Sequence, residues 1–308
     1  MSRVDVVLMM RADLPARLFD RERLERVVRV VELEHAEIVL SGWGCPPLDA
    51  ALLARAPSLR AIVHAAGGVK RHVTDACWER GLLVSTAAGA NAGPVAEYTL
   101  ARILLAGKGA DRLAREYAAR RCAIDLAGEF PGIGNFGKTV GIVGASRIGR
   151  RVIELLEPFD FEILVSDPYV EGAVALDDLL AVSDIVSLHA PSLPSTRHML
   201  DARRLALLRD GATLINTARG ALIDQDALVA ELVSGRIDAV IDVTEPEILP
   251  GDSPLYDLPN VVLTPHIAGA LGDEVRRLGD SALAELARYA RGEPFAHPVT
   301  RADLDRVA

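Results

Sequence analysis

The chain has 308 residues, half of them hydrophobic, and a formal net charge of −9. This length allows one large domain or two of ordinary size, and the hydrophobic content excludes global disorder. The acidic balance argues against a nucleic-acid or anionic-membrane partner, because both require clustered lysine and arginine.

The cysteines Cys45, Cys77 and Cys122 are widely spaced and form no C-x-x-C pair. Such a set indicates free thiols in a reducing compartment, so we expect neither a disulfide framework nor a metal site. The first residues are apolar only from Val4 to Met10 and make a poor signal peptide. No apolar run approaches the ~20 residues that span a bilayer, so a soluble cytoplasmic protein is expected.

Short apolar runs alternate with helix-length amphipathic runs in the first third of the chain. Helical patterns cover Arg21–Glu32 and Pro47–Arg55, and a longer one runs from Pro94 to Arg121. Strands are predicted at Val4–Met10, Glu37–Ser41, Ala61–His64 and Leu82–Ser85. This alternation is typical of a parallel sheet covered by helices.

A glycine-rich segment, GEFPGIGNFGKT (128–139), precedes a second alternating series. Its predicted strands are Val140–Val143, Glu162–Ser166, Asp184–Leu188, Ala212–Asn216, Ala239–Val243 and Val261–Thr264. The continuous apolar strands EILVS and ATLIN fit burial on both faces of a sheet. We therefore predict two α/β domains, the second with the size of a six-stranded dinucleotide-binding sheet. The last helical pattern, 272–291, fits either domain.

The stretch GIVGASRIGR (141–150) is similar to a dinucleotide-binding turn, G-x-G-x-x-G, with Ser146 in place of the middle glycine. Gly144 fits the tight turn, and Gly149 fits close packing of a helix on a strand. We expect Ser146 to be tolerated, either with a lower cofactor affinity or with its hydroxyl donating to a phosphate oxygen beside the free amides of the helix start. Arg147 is either a pyrophosphate contact or a solvent-facing residue. By itself the turn is also compatible with an ordinary strand–turn–helix.

Asp167 ends the next predicted strand, near the spacing at which an acid accepts hydrogen bonds from the adenosine ribose. No arginine follows closely to receive a 2′-phosphate, so NAD(H) is expected in preference to NADP(H). The alternative is a strand-end turn residue.

Ligands of open parallel sheets bind outside the carboxyl ends of the strands. The polar residues predicted at those ends are Asp167, His189, Thr217, Arg219, Asp242, Glu247 and His266. Together they are expected to bring a guanidinium, a carboxylate and an imidazole to one rim.

The segments NTARGALID (216–224), DVTEPEILP (242–250), LTPHIAG (263–269) and VAEYTLA (95–101), with the glycine turn, resemble the D-isomer-specific 2-hydroxyacid dehydrogenase family. The resemblance covers nearly the whole chain. It implies two Rossmann-like or flavodoxin-like domains with the active site in the cleft between them. The substrate-binding domain would comprise residues 1–101 and 285–308, and the NAD-binding Rossmann domain residues 102–284. It also implies a homodimer built through the NAD-binding domain.

The resemblance implies NAD-dependent interconversion of a 2-oxo acid and a D-2-hydroxy acid. Arg219 would bind the substrate carboxylate and 2-oxo oxygen, because a fork of donors suits that planar target. His266 would act as general acid and base, with Glu247 hydrogen-bonded to its ring. Glu247 is preferred to Glu245 because it lies five residues after Asp242; Glu245 is otherwise a solvated loop acid.

The residues that match the family's cofactor contacts are Thr99, Gly144, Ser146, Arg147, Ile148, Gly149, Asp167, His189, Pro191, Thr217, Ala218, Asp242, Ala268 and Gly269. Among them, His189 is expected to be structural and not catalytic.

The segment HAAGGVK (64–70) resembles the family's substrate loop, in which Ala66 and Gly67 would offer amides to the carboxylate. The family often has an aspartate just beyond, where this chain has Val69 and Lys70. Lys70 is interpreted as a surface charge, although it would also suit an acidic or larger substrate. Glyoxylate or hydroxypyruvate is the first expectation. Formate is not expected, because that branch lacks the acidic partner of the histidine. No regulatory domain is expected after the last helix.

Two alternatives remain open. A corepressor branch of the same family binds NAD as a non-enzymatic interaction protein and keeps the same rim residues. A different Rossmann-type enzyme, such as a methyltransferase, would not require Arg219, Glu247 and His266.

Overall fold

The computed structural model describes residues 3–305. Its strands are β1 Val4–Met9, β2 Val28–Val30, β3 Ile38–Ser41, β4 Ala61–His64, β5 Leu83–Thr86, β6 Thr139–Val143, β7 Glu162–Ser166, β8 Ile185–Leu188, β9 Thr213–Asn216, β10 Asp238–Ile241, β11 Val261–Leu263 and β12 Pro298–Val299. Its α-helices are α1 Leu14–Leu18, α2 Arg21–Val27, α3 Ala50–Ala54, α4 Asp75–Glu79, α5 Ala88–Gly107, α6 Ala110–Arg120, α7 Leu126–Glu129, α8 Arg147–Leu156, α9 Leu176–Val182, α10 Ala202–Leu205, α11 Gln225–Val233 and α12 Val275–Ala290.

The chain divides into two compact units: unit 1, Met1–Gly93 with Ala270–Ala308, and unit 2, Pro94–Gly269. The sequence placed these boundaries at 101/102 and 284/285, so the structure differs from the prediction at both. The ends of the predicted substrate domain, residues 1–2 and 306–308, lie outside the described residues.

The second boundary moves because α12 packs entirely within unit 1. Leu278 and Leu286 of α12 are fully buried in the same cluster as Leu14 and Leu18 of α1. Gly279 lies against the Leu18 carbonyl group and leaves no room for a side-chain carbon. Together with the buried residues from Val275 to Leu286, this close approach holds the helix on unit 1.

Unit 1 is built on a six-stranded sheet of order β12-β5-β4-β3-β1-β2. Its first five strands in the sequence follow the flavodoxin-like order and are parallel, and β12 pairs antiparallel with β5 at the edge. Every residue of β3 and β4 is buried, as the centre of a sheet covered on both faces requires.

A strand replaces the end of one predicted helix in unit 1. The helical pattern extended to Glu32, but α2 ends at Val27 and β2 pairs in parallel with β1. The valine run around Val28 favours the extended backbone because β-branched side chains lose rotamer freedom in a helix. Val28 is buried in the sheet core, so tertiary packing selects the strand.

Unit 2 is built on a parallel sheet of order β11-β10-β9-β8-β6-β7. From β6 the chain continues to β7 on one side and then crosses to β8 on the other side. The topological switch point therefore lies between β6 and β8. All residues of β8 and β9 are buried. The predicted fold class, two α/β domains with parallel sheets, is confirmed.

The long helical pattern from Pro94 to Arg121 is two helices. α5 begins before it, at Ala88, and ends at Gly107; α6 begins at Ala110. Gly109 separates the two helices with a φ of 58°, a left-handed conformation that glycine adopts without strain.

Among residues 3–305, no helix has the length and apolarity needed to cross a bilayer. The same residues contain no group of three or more histidine, cysteine, aspartate or glutamate side chains able to hold a metal ion. Cys45, Cys77 and Cys122 are free thiols.

Candidate active site

The predicted site residues of unit 2 gather at one edge of its sheet. Because β6 to β11 are parallel, the loops that follow them all begin at this edge, which we call the rim. The predicted residues on these loops are Gly144 to Gly149 after β6, Asp167 after β7, His189 and Pro191 after β8, Thr217 to Arg219 after β9, Asp242 and Glu247 after β10, and His266, Ala268 and Gly269 after β11. Thr99 comes from α5.

The glycine turn after β6 has the shape of a phosphate-binding turn. Gly144 has a φ of +93°, and a side-chain carbon there would lie 2.6 Å from the Ala190 nitrogen, so only glycine fits. Gly149 lies directly against the Gly144 carbonyl group. Ser146 is the exposed N-cap residue of α8, and its hydroxyl makes no capping bond. The Ser146 hydroxyl and the first amides of α8 are the groups at this turn that an anion could accept hydrogen bonds from.

Asp167 fastens the glycine turn to the end of β7. Its Oδ2 accepts the Ala145 N–H at 2.8 Å, and its Oδ1 accepts the Tyr169 N–H at 2.8 Å. Each carboxylate oxygen has a second lone pair, so this turn role leaves acceptors for ribose hydroxyls.

The environment of His189 supports a structural role. Its side chain is buried, and its Nε2 lies 2.9 Å from the Ser187 hydroxyl. Burial lowers the pKa of His189 to about 4, which keeps the ring neutral near pH 7.

Asn216, which is not among the predicted site residues, holds the loop that carries Arg219. Its side-chain oxygen accepts the Ala218 N–H at 3.1 Å, and its Nδ2 donates to the Arg219 carbonyl at 2.9 Å. A buried asparagine at the end of an apolar strand was the available signal, since such a side chain must find partners. Gly220 then packs against the Thr244 backbone with no space for a side chain.

Glu247, and not Glu245, lies on the imidazole of His266. Glu247 Oε1 is 2.7 Å from His266 Nδ1. Glu245 instead pairs with Arg197 at 2.8 Å, and this guanidinium holds the pKa of the Glu245 carboxyl below its usual range. The structure therefore separates the two acids that the sequence left as alternatives.

The contact with Glu247 determines which ring nitrogen of His266 carries the proton. An ionised carboxylate only accepts hydrogen bonds, so Nδ1 carries the proton that faces Glu247. Nε2 is then the nitrogen free to give or take a proton.

Asp242 fixes the backbone around His266. This buried carboxylate accepts the N–H groups of Ile267 at 2.8 Å and Ala268 at 3.0 Å, and the Thr264 hydroxyl at 2.6 Å. The His266 N–H donates to the Asp242 carbonyl at 2.9 Å. These bonds hold His266 at a φ of 56°, which is strained for a residue other than glycine.

Two neighbouring residues of α5 bond to loops of the rim. Thr99 Oγ1 lies 3.0 Å from Thr217 Oγ1, and the Tyr98 hydroxyl lies 3.2 Å from Thr264 Oγ1. Thr99 was a predicted cofactor residue, whereas Tyr98 was missed because nothing in the sequence indicates its partner.

The predicted substrate loop lies in unit 1, after β4. Ala66 is buried and Gly67 half-buried, and the Ala66 carbonyl accepts the Ala87 N–H at 3.0 Å. Val69 is buried, whereas Lys70 is exposed, as a surface charge would be.

The fold and the rim define a two-unit α/β protein with a dinucleotide-binding sheet. The family model described as "D-isomer specific 2-hydroxyacid dehydrogenase, NAD binding domain" matches residues 100–268, more than half of the chain. The chain belongs to the D-isomer specific 2-hydroxyacid dehydrogenase family, and the resemblance found in the sequence is confirmed.

Known relatives and solved structures agree with this membership. A D-3-phosphoglycerate dehydrogenase of Mycobacterium tuberculosis is 36% identical over 80% of this chain and 48% of its own length. This chain thus spans about half the length of that relative. A glyoxylate reductase of Korarchaeum cryptofilum is 34% identical over 80% of this chain and 78% of its own length. A crystal structure of D-lactate dehydrogenase from Aquifex aeolicus, complexed with NAD and lactic acid, has a TM-score of 0.74 and 26% identity, covering 94% of this chain and 96% of that one.

Glu247→Gln is expected to lower kcat/KM of the activity proposed below roughly 10- to 100-fold. The amide keeps the size of the side chain but no longer stabilises a charged His266 ring. Glu245→Gln is the matched control, since Glu245 contacts Arg197, and it should stay within about twofold of the wild type. Steady-state kinetics of both variants measure the effect. Equal losses in the two variants would contradict the assignment.

Proposed function

We propose that this protein is an NAD-dependent oxidoreductase that interconverts a 2-oxo acid and a D-2-hydroxy acid. The observation that carries the proposal is the His266–Glu247 pair, 2.7 Å apart, on the same rim as the Arg219 loop and the glycine turn. A proton-transferring ring, a fixed cation and a dinucleotide turn are the groups that hydride transfer to a carbonyl requires.

In this proposal Arg219 binds the substrate carboxylate and polarises the 2-oxo oxygen with its fork of N–H donors. His266 donates its Nε2 proton to that oxygen during reduction, and takes the proton back during oxidation. Glu247 stabilises the ring while it is charged. By the family resemblance, the amides of Ala66 and Gly67 complete the contacts to the carboxylate.

The chain's own residues fit NAD. Gly144 permits the tight turn and Gly149 the close packing of α8, α8 offers its free amides, and Asp167 keeps lone pairs for the ribose. The cofactor, when bound, supplies or accepts the hydride. The name of the family model supports NAD, and Asp167 supports our proposal that NAD(H) is preferred to NADP(H).

Asp167→Ala is expected to reduce the preference for NADH over NADPH about tenfold, because the variant loses a hydrogen bond to the ribose hydroxyls and no longer repels a 2′-phosphate. The ratio of kcat/KM for the two coenzymes is the measurement. Asp160→Ala removes an exposed carboxylate of the same unit and should leave the ratio unchanged. A constant ratio in Asp167→Ala would mean that another group recognises the ribose.

The decisive experiment is oxidation of NADH, followed by absorbance, with a panel of 2-oxo acids. Glyoxylate and hydroxypyruvate are our first proposals, with phosphorylated and unsubstituted 2-oxo acids added because of the relatives' names. Turnover that yields the D-hydroxy acid supports the proposal. Tight NADH binding without turnover would support the non-enzymatic interaction protein, and binding of S-adenosylmethionine in place of NADH would support a methyltransferase.

We further propose a homodimer built through unit 2, in a cytoplasmic setting that the free thiols support. Exposed apolar side chains within residues 105–136 of this unit support the dimer: Leu105, Tyr117, Leu126, Ile133 and Phe136. Such exposure is typical of a surface that another chain covers. Light scattering after size-exclusion chromatography, on the wild type and on Phe136→Asp, tests this proposal.

A further inference from the structure

Tyr98 and Thr99 are adjacent on α5 and bond to two different loops of the rim. Thr99 bonds to Thr217, which lies two residues before Arg219. Tyr98 bonds to Thr264, which lies two residues before His266. One turn of one helix therefore contacts both segments that carry the proposed reacting side chains.

The direction of the first hydrogen bond follows from the number of protons available. The single proton of the Thr99 hydroxyl is donated to the Val95 carbonyl at 2.8 Å. Thr99 Oγ1 must therefore accept from Thr217, whose hydroxyl proton points into the helix. Thr99 is fully buried and Thr217 nearly so, and a buried pair of this kind loses its geometry if either hydroxyl is removed.

The second hydrogen bond also has one direction. Thr264 donates to Asp242 Oδ1 at 2.6 Å, so Thr264 Oγ1 accepts from the Tyr98 hydroxyl. Asp242 in turn accepts the amides of Ile267 and Ala268. The Tyr98 hydroxyl thus begins a chain of hydrogen bonds that ends on the backbone directly after His266.

We propose that Tyr98 and Thr99 are positioning residues that set the Arg219 and His266 loops relative to each other from one rigid helix. A helix fixes two adjacent side chains more closely than two separate loops fix each other, and hydride transfer is sensitive to such placement. This inference rests on the proposed function only for its effect on kcat.

The same bonds define what Thr217 offers to a bound ligand. With its proton committed to Thr99, Thr217 Oγ1 acts only as an acceptor. A ligand group that contacts this oxygen must therefore donate, as an amide NH₂ does. Thr99→Val frees the Thr217 proton, so it removes this selectivity together with the Thr99–Thr217 hydrogen bond.

The variants Thr99→Val and Tyr98→Phe test the two bonds separately, and Thr264→Val tests the second bond from its other end. Each is expected to lower kcat about tenfold, and Thr99→Ser should retain most of the activity that Thr99→Val loses. Tyr98→Phe combined with Thr264→Val should lower kcat no further than Thr264→Val alone, because the second change already removes the bond to Tyr98. Tyr289→Phe, at a half-buried tyrosine of α12 in unit 1, is the matched control.

Amide hydrogen exchange provides a measurement that does not depend on turnover. Tyr98→Phe should speed exchange at Ile267 and Ala268 at least tenfold and leave Ala218 unchanged, whereas Thr99→Val should do the reverse. If the wild type shows no turnover but amide exchange responds in this way, the proposed function fails and the positioning role of Tyr98 and Thr99 stands. The positioning role would be overturned by unchanged exchange at Ile267 and Ala268 in both Tyr98→Phe and Thr264→Val. It would also be overturned if Thr99→Ser lowered kcat as much as Thr99→Val does.

Discussion

Arg219→Lys is expected to lower kcat/KM for the 2-oxo acid about 1,000-fold, a loss of roughly 4 kcal/mol of transition-state stabilisation. A lysine ammonium keeps the positive charge but not the planar fork that contacts the carboxylate and the 2-oxo oxygen together. Asn216 bonds the backbone on both sides of this position, so the loop keeps its shape in the variant and the loss reports on the side chain.

The matched control is Arg197→Lys, which exchanges the same residue types in the same unit. Arg197 is half-exposed and pairs with Glu245, a contact that a lysine retains, so kcat/KM should remain within about twofold. NADH affinity should be unchanged in both variants. Near-native activity of Arg219→Lys would reject the role assigned to Arg219.

The free energy of unfolding is expected to fall steeply between pH 7 and pH 5, because three histidines are buried as neutral rings. Burial lowers the pKa of His64 to about 3, with a further contribution from His72, and burial lowers those of His72 and His189 to about 4. In the unfolded chain each ring takes up a proton below its ordinary pKa of about 6.5.

The sign follows from which state binds more protons. Between about pH 4 and pH 6.5 the unfolded chain holds protons that the native rings do not, so native stability increases with pH. Each histidine contributes roughly 2 kcal/mol between pH 5 and pH 7, and the three together about 6 kcal/mol. Most carboxylates titrate below this interval, which isolates the histidine contribution.

Urea unfolding of the wild type and of His72→Leu, at pH 7 and at pH 5, measures this contribution. His72 is the best site, because its Nε2 is buried without a hydrogen-bond partner among the described residues. In the variant, the difference in unfolding free energy between pH 7 and pH 5 should be about 2 kcal/mol smaller than in the wild type. His35→Gln, at an exposed histidine of the same unit, should keep the full difference. The prediction would be contradicted if His72→Leu showed the same difference in unfolding free energy as the wild type.

Much of the rim could be derived from the sequence because its signals are local. Gly144 and Gly149 are identified by the turn motif. Arg219 and His266 are identified by their positions after apolar strands. In a parallel sheet, an end-of-strand position already specifies the edge on which a side chain lies. The fold class, the strand–helix alternation and the family resemblance follow from patterns of the same short range.

Two differences between the structure and the sequence-based expectation involve contacts between distant segments. The helical pattern extended through Val28, but pairing with β1 makes this residue part of a strand. The domain boundary depends on the packing of Gly279 against α1, which no local pattern encodes.

The sequence by itself determined the parallel α/β fold, the glycine turn and the residue types at the rim, because strand periodicity and turn chemistry act over a few residues. Only the tertiary structure decided that Glu247 contacts His266 while Glu245 contacts Arg197, and that Tyr98 bonds to Thr264. The physical reason is that a hydrogen bond forms within about 3 Å in space, and partners far apart along the chain reach that distance only when the sheet and helices pack.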